Sequence, residues 1–114
     1  MKFVNTKLQS KPETDGNAIF ESENLDGYYI GVNSNNQAYL TKESSEFQHL
    51  SVVRGLCDVA GTVSFESVAK PGWFLRHQGF KMYLHQWQDR DLYKKDACFF
   101  PRYEKYYYVS FNSD

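Results

Sequence analysis

The segment PGWFLRH, at residues 71–77, ends an apolar and aromatic run with two polar side chains, Arg76 and His77. A guanidinium only donates hydrogen bonds, whereas a neutral imidazole both donates and accepts them. At the end of a strand, such side chains either bond to the neighbouring turn or point into a pocket for a small ligand. On the residues alone, a histidine bonded to the turn is the simpler interpretation of His77.

The sequence contains no arrangement of residues that is typical of catalysis or metal binding. Asp89 and Asp91 are two residues apart, whereas paired catalytic carboxylates usually come from separate elements. Nucleophile-elbow, HExxH and phosphate-loop motifs are absent from the sequence. The histidines are not at metal-ligand spacing with a carboxylate or a cysteine; they are His49, His77 and His85. We therefore expect a non-enzyme with no metal and no other cofactor.

The composition favours a single domain made mostly of β-strands. The 114 residues suffice for one modest core, and 18% of them are aromatic, which suits the half-buried surface of a sheet. Basic and acidic residues nearly balance, at 13 and 14, and form no basic face, so nucleic acid is not an expected partner. No apolar run reaches the roughly 18 residues that cross a bilayer, so no membrane span is expected.

The compartment of the protein stays open at this point. The N-terminal segment MKFVNTKLQSKPETDG lacks the apolar stretch of a secretory signal, which fits a cytosolic protein, a mature domain or a piece of a longer chain. Two cysteines, Cys57 and Cys98, allow either one disulfide or two buried thiols, and their spacing fits no metal motif.

An internal repeat organises the chain. The tetrads IFES at 19–22, SFES at 64–67 and SFNS at 110–113 follow one another at offsets of 45 and 46 residues. The match continues in the same order with DGYYI and PGWFL, and then with QAYL and KMYL. A repeat of this length indicates one structural unit that is copied along the chain.

Each complete unit has the pattern of four short strands. Pro71-Gly72 and Gln78-Gly79 supply turns in the second unit, and the segment NSNN forms a hairpin tip in the first. The predicted strands are Ala18–Glu23, Tyr28–Val32, Gln37–Thr41, Leu50–Arg54, Thr62–Ser67, Trp73–Gln78, Phe80–His85 and Ala97–Phe100. The segment MKFVNTKL is a candidate for one more strand. No capped helix is predicted, although TKESSEFQHLSVV has room for a helical turn.

Four-stranded units of this length predict a β-trefoil, in which three units surround a pseudo-threefold axis and close a barrel. Closure matters because it leaves no bare strand edge. Residues 1–114 then form one domain, with units at 18–62 and 63–108 and a third unit begun at 109–114. The strands fall short of three units, so the trefoil is incomplete, or another chain or a missing segment completes it.

The motifs of the second unit carry a resemblance to a known family. In order, they are VSF, PG, FLRH and DACF, at 63–65, 71–72, 74–77 and 96–99. They make the chain similar to the arabinose-binding (AbfB) domain, the family 42 carbohydrate-binding module found on α-L-arabinofuranosidases. The similarity is strongest over 50–102, where Arg54 replaces a proline that is usual in the family. The resemblance implies an all-β trefoil, a non-catalytic role beside a glycoside hydrolase, and an extracellular location.

Modules of this kind bind arabinofuranose side chains of hemicellulose in small pockets, one per unit. Carried over to this chain, the resemblance implies that His77 and Asp96 bond to sugar hydroxyls, for which an imidazole and a carboxylate offer donors and acceptors. Nearby aromatic residues are expected to wall the sugar: Trp73, Tyr83, Trp87 and Tyr93. The expected partner is an arabinose-containing polysaccharide or glycan.

The first and third units depart from the pattern of this family. In the first unit, Val32 stands where the histidine is expected and Leu50 where the aspartate is expected. The third unit lacks both segments. We therefore expect one pocket, and a single pocket for a single sugar should bind weakly because it gains nothing from avidity.

Alternatives to this interpretation remain open. Arg76 is either a surface residue or a partner of Asp96, and such a pair leaves the carboxylate with less capacity for a sugar. Trp73 fits the core better than a sugar platform, whereas Trp87 lies in the polar stretch HQWQDRD, where an exposed tryptophan suits binding. The segment FESVAKPGWFL is also similar to interleukin-1-family trefoils, which are receptor ligands. A structural trefoil within a larger extracellular protein is the third alternative.

Overall fold

The computed structural model describes most of the two complete units and parts of both ends of the chain. The described residues are 6–12, 18–22, 25–78, 81–100, 102–103 and 107–111. The strands are β1 (Thr6–Pro12), β2 (Ala18–Ser22), β3 (Tyr29–Val32), β4 (Ala38–Thr41), β5 (Leu50–Arg54), β6 (Val63–Ser67), β7 (Trp73–Gln78), β8 (Lys81–Gln86), β9 (Arg102–Tyr103) and β10 (Tyr107–Phe111). A 3-10 turn spans Glu46–Gln48 and the helix α1 spans Asp91–Asp96; within the described ranges, no helix has the length and apolar character to cross a bilayer. The fold is all-β, as predicted.

The strand predictions are confirmed for seven of the eight segments in the two units. β5 and β7 have the predicted bounds, β3, β4 and β6 begin one residue later than predicted, and β8 ends one residue later. Glu23 and Phe80, the predicted ends of two strands, lie outside the described residues. The additional strand expected within MKFVNTKL overlaps β1 at residues 6–8, and residues 1–5 of that segment lie outside the described residues. The helical turn that the sequence allowed before β5 is the 3-10 turn.

The expectation of a strand at 97–100 was wrong, and a short helix without a side-chain cap, which the sequence did not indicate, precedes this segment. Within 97–100, Phe99 forms an isolated bridge with Val63, with both backbone hydrogen bonds at 2.9 Å. The preceding helix α1 has only six residues, and Arg90 at its N-cap makes no side-chain capping bond. Such a helix has neither the capping signal nor the length of a periodic pattern. Tertiary packing through the buried Tyr93 stabilises it instead.

The strand pairs among the described residues are antiparallel, and they form one continuous series. β1 pairs with β2, β2 with β5, and β5 with β6. In the other direction β1 pairs with β10, and β10 with β9. The bridge between Val63 and Phe99 connects β6 to the segment that leads to β9. The hairpins β3–β4 and β7–β8 join this series through β2 and β6.

The two complete units share hydrogen bonds as well as sequence. Glu21 Oε2 accepts a hydrogen bond from the Gly27 N–H at 3.0 Å, and Glu66 Oε2 accepts one from the Gly72 N–H at 2.7 Å. The serine after each glutamate accepts a hydrogen bond from the N–H three residues later. Both glycines have positive φ, at 79° and 86°, a conformation that glycine adopts without strain. The repeated FES motif therefore builds the turn before each hairpin.

Two apolar clusters hold these elements together. The main core contains buried residues of both units: Phe20, Ile30, Ala38, Leu40, Leu50, Phe65, Leu75, Met82, Leu84 and Phe99. Phe20 and Phe65, at equivalent positions of the two units, meet edge to face with ring centres 4.9 Å apart. The second cluster lies between β7 and α1 and consists of Phe74, Tyr93 and Ala97.

A disulfide joins the β5–β6 loop to the segment after α1. The sequence left the state of the two cysteines open, and the structure links Cys57 to Cys98. Near this link the Ser64 hydroxyl donates a hydrogen bond to the Ala97 carbonyl at 2.6 Å. A crosslink between residues 41 positions apart limits the conformations of the unfolded chain and so stabilises the fold.

Candidate functional site

The strand β7 carries Trp73 and His77, two of the residues expected to bind a sugar. Side chains alternate between the two faces of a strand, so Trp73, Leu75 and His77 share one face. Trp73 packs against the main core and Leu75 belongs to it. His77 therefore lies on the core side of the hairpin. Its Nε2 is buried and has no hydrogen-bond partner among the described residues.

The opposite face of β7 is covered by α1 and contains an ion pair. Arg76 Nη2 donates a hydrogen bond to Asp96 Oδ2 at 2.5 Å, and the two side chains are 7% and 17% exposed. The guanidinium also lies over the Tyr93 ring, 4.9 Å from its centre. Arg76 Nε is buried without a partner in the described part of the chain. The hydrogen bonds described for Asp96 involve Oδ2 and leave Oδ1 available.

The structure thus brings Arg76, rather than His77, into contact with Asp96. Neighbouring residues of a strand face opposite ways, and a helix packed on one face meets only one of them. Of the two roles considered for Arg76, the structure shows the pair with Asp96. Among the residues that the structure describes, no hydrogen bond or ion pair joins His77 to Asp96.

Tyr93, expected in the aromatic wall, is the centre of the second cluster. Its side chain is fully buried, and its hydroxyl donates a hydrogen bond to the His85 carbonyl at 2.7 Å. Burial raises the pKa of Tyr93 to about 12, against a smaller opposing effect of the nearby Arg76 charge. Tyr93 therefore holds α1 against β8 and presents no free face to a ligand in this structure.

Tyr83 and Trp87 lie on the outer side of the hairpin. Tyr83 is the register partner of Arg76, and its ring stacks on that of His85 with centres 5.0 Å apart and planes at 12°. Burial lowers the pKa of His85, and the positive charge of Arg76 lowers it further. Trp87 is 46% exposed, and Lys94 Nζ lies 5.7 Å from its ring centre. The Tyr83 ring therefore lies beside the ion pair, whereas Trp87 lies at the other end of the hairpin, where its backbone N–H bonds to the Gly72 carbonyl.

Two residues of this site were not among the expected ligands. His85 was considered only for metal spacing, although alternation along KMYLHQ places it on the same face as Tyr83. The burial of Arg76 has no comparable signal in the sequence. It depends on the packing of α1, whose capping residue makes no side-chain bond.

Among its described residues, the first unit has no equivalent of this arrangement. Val32, at the position of the histidine, packs against the main core. The sequence offset aligned Leu50 with Asp96. The strand pairings align Leu50 with Phe99 instead, because Leu50 pairs with Ala18 and Phe99 pairs with Val63, the first residues of the two units. Three residues before Leu50, where the aspartate would then lie, the chain has Phe47. That position offers no carboxylate either.

A cleft of about 220 Å³ lies on another side of α1. It is lined by Leu56, Cys57, Asp58, Asp91, Lys94 and Lys95. Its acidic and basic groups balance one another, so no class of charged ligand is favoured there. Within the described ranges, no group of three or more His, Cys, Asp or Glu side chains is placed to hold a metal ion.

Comparison with known proteins relates this geometry to a family. Residues 18–113 match the sequence model of the Alpha-L-arabinofuranosidase B (ABFB) domain, AbfB. The chain belongs to the AbfB family. It is also 32% identical over 126 aligned residues to Alpha-L-arabinofuranosidase B of Emericella nidulans, in an alignment that covers 99% of this chain and 24% of that protein. The chain thus spans about a quarter of the length of this curated relative.

This membership confirms the resemblance that the motifs of the second unit indicated. The match extends through the first unit as well, from residue 18 onward, which the motif comparison covered less strongly. It favours an arabinofuranosidase-related domain over the interleukin-1-like alternative. A domain of this size within a much longer arabinofuranosidase is compatible with a role other than catalysis.

Proposed function

We propose that this AbfB domain is a non-catalytic carbohydrate-binding module that recognises arabinofuranose-type sugars through one pocket in its second unit. The supporting observation is that Asp96 Oδ1 has no hydrogen-bond partner among the described residues, while Arg76 holds Oδ2 of the same carboxylate. A partly exposed carboxylate oxygen can accept a hydrogen bond from a ligand. The hydroxyl groups of a sugar supply both donors and acceptors.

Asp96 is the central group of the proposed pocket. One of its oxygens is held by Arg76, and the side chain keeps 17% of its surface exposed, so a ligand can approach the other oxygen. A hydroxyl that donates to a carboxylate makes a stronger bond than one between neutral groups. His77 lies on the other face of β7, on the core side of the hairpin, and is therefore left out of this pocket.

The apolar face of the sugar is proposed to rest on Tyr83 and Trp87. Trp87 is 46% exposed, and Tyr83 is half-buried on the outer side of the hairpin. Aromatic rings of this kind combine apolar contact area with a polar edge. Trp73 and Tyr93 are left out of the proposed contact surface because they pack into the two clusters.

We further propose that the domain is a trefoil in which β1 takes the place of the last strand of the third unit. β5 lies between β2 and β6, the first strands of successive units. β1 lies in the same way between β10 and β2. On this proposal the first two units are 18–62 and 63–108, and the third unit begins within β10. The described strands include no hairpin for the third unit. The Cys57–Cys98 disulfide suits an extracellular location, because disulfides persist in oxidising compartments.

Binding of arabinofuranose-decorated arabinoxylan, measured by isothermal titration calorimetry, tests the proposed site. The change Asp96→Asn keeps the size of the side chain but removes its charge. A hydrogen bond to a charged group is worth about 1.5–3 kcal/mol, so we expect binding at least about tenfold weaker. His77→Ala should leave the affinity nearly unchanged and lower the melting temperature, because its side chain is partly buried on the core side of the hairpin.

The matched control is Asp91→Asn, the same change at an exposed position of α1. It should leave the affinity unchanged. A wild-type domain that does not bind arabinoxylan, or an Asp96→Asn variant that binds as tightly as wild type, would contradict the proposal.

A structural role is the second candidate function. The observation that favours it is the ion pair itself, because Arg76 already satisfies one oxygen of Asp96. In that case the calorimetric titration gives no heat of binding with the wild-type domain. The variant Asp96→Asn then changes only the free energy of unfolding.

A further inference from the structure

Arg76 is a buried cation in otherwise apolar and aromatic surroundings. It is buried, and its neighbours on this face include Phe74 and Tyr93 of the second cluster. Removing a charge from water is costly, and an apolar side chain of similar size often fills such a place equally well or better. Packing alone therefore does not account for an arginine at this position.

The contact that Arg76 makes is with the end of α1. Asp96 is the last residue of this six-residue helix, where its carboxylate has no partner from the helix itself. Arg76 Nη2 holds Oδ2, while Oδ1 is left without a described partner. A carboxylate fixed through one oxygen presents the other in a defined direction.

From this geometry we propose that Arg76 is a positioning residue, which orients the Asp96 carboxylate for the sugar. The inference rests on the proposed function, since it assigns Arg76 a role in that same pocket. Arg76 does so by holding Oδ2 so that Oδ1 stays directed at the ligand. It therefore acts on affinity through Asp96, and it makes no sugar contact of its own.

The backbone around Asp96 is anchored independently of Arg76. The Tyr93 hydroxyl bonds to the His85 carbonyl at 2.7 Å, and the Ser64 hydroxyl bonds to the Ala97 carbonyl at 2.6 Å. The disulfide holds the chain two residues after Asp96. Loss of Arg76 should therefore release the carboxylate without detaching α1.

The test combines three variants: Arg76→Met, Arg76→Lys and Asp96→Asn. Affinity for an arabinofuranose-decorated xylan oligosaccharide is measured together with the melting temperature. Arg76→Met should bind about tenfold more weakly, because the carboxylate is no longer held. Arg76→Lys keeps the charge without the planar fork and should recover part of the affinity. Added to Asp96→Asn, Arg76→Met should cause no further loss, since the two residues act as one unit.

A spectroscopic measurement separates positioning from a general structural role. The buried Arg76 Nε–H group should give its own NMR signal in the wild-type domain. This signal should shift when the oligosaccharide is added, and the shift should be lost in the Asp96→Asn variant. The Arg76→Lys variant supplies the affinity comparison should Arg76→Met fail to fold.

The outcomes distinguish the inference from the proposed function. A wild-type domain that binds no oligosaccharide overturns both. If wild type binds and Asp96→Asn does not, the proposed function stands. Equal binding by wild type and both Arg76 variants, or losses from Arg76→Met and Asp96→Asn that simply add, then overturns the role of Arg76 alone.

Discussion

Two side-chain contacts fix α1 against the hairpin β7–β8, and both involve residues that the site depends on. Tyr93 donates a hydrogen bond to the backbone of β8, and Arg76 pairs with Asp96 at the helix end. The guanidinium lies over the Tyr93 ring, so the two contacts adjoin. The charge of Arg76 therefore acts on the pocket and on the neighbouring His85.

His85 should make the stability of the domain depend on pH. Burial, and then the Arg76 charge, lower its pKa from the ordinary value of 6.5. As pH falls below about 6.5, the unfolded chain therefore binds more protons at His85 than the folded chain does. The contribution of His85 to stability is fully present above about pH 6.5 and is lost as pH drops toward the folded pKa. We expect His85→Gln to reduce the difference in melting temperature between about pH 7.5 and about pH 5.

Thermal unfolding of both proteins at the two pH values measures this effect. The acidic residues contribute equally to both proteins, so the difference between them isolates His85. An unchanged pH dependence in His85→Gln would show that the histidine has no part in it.

The turns before the two hairpins are copies of one element. In each, a glutamate carboxylate accepts a hydrogen bond from a glycine N–H six residues later. An added Cβ at Gly27 or Gly72 meets nothing within 4 Å, so substitution brings no steric contact and only the cost of the positive φ. That cost is about 1 kcal/mol for a residue with a Cβ.

We therefore expect Gly27→Ala and Gly72→Ala to lower the free energy of unfolding by similar amounts. Urea unfolding of the two variants and of wild type gives the comparison. A loss confined to one of the two glycines would contradict the equivalence of the turns.

The sequence located the strands well because the repeat gave each boundary twice and glycine, proline or asparagine marked the turns. It missed α1 because six residues without a capping bond carry no distinct signal. The candidate site was likewise predicted only in part. Asp96 was found through the family motif, whereas its contact with Arg76 depends on which face of β7 the missed helix covers. Spacing along the chain does not contain that information.

The molecule as a whole combines two similar units with different surfaces. Both have the FES turn and contribute to one core, yet Val32 and Phe47 in the first unit replace the polar groups of the second. The units also support each other, because the Asn36 carbonyl accepts a hydrogen bond from the Leu84 N–H at 2.8 Å. The first unit thus helps to hold the strand β8, which carries Tyr83 and His85.

A chemical-shift titration of the ¹⁵N-labelled domain with an arabinofuranose-decorated xylan oligosaccharide tests the single pocket most directly. We predict weak binding that fits one site, since one pocket has no avidity, with the shifting resonances centred on Asp96, Tyr83 and Trp87. The resonances of β3–β4 in the first unit should stay in place. Shifts centred on that first hairpin, or no shifts at any concentration, would contradict the account.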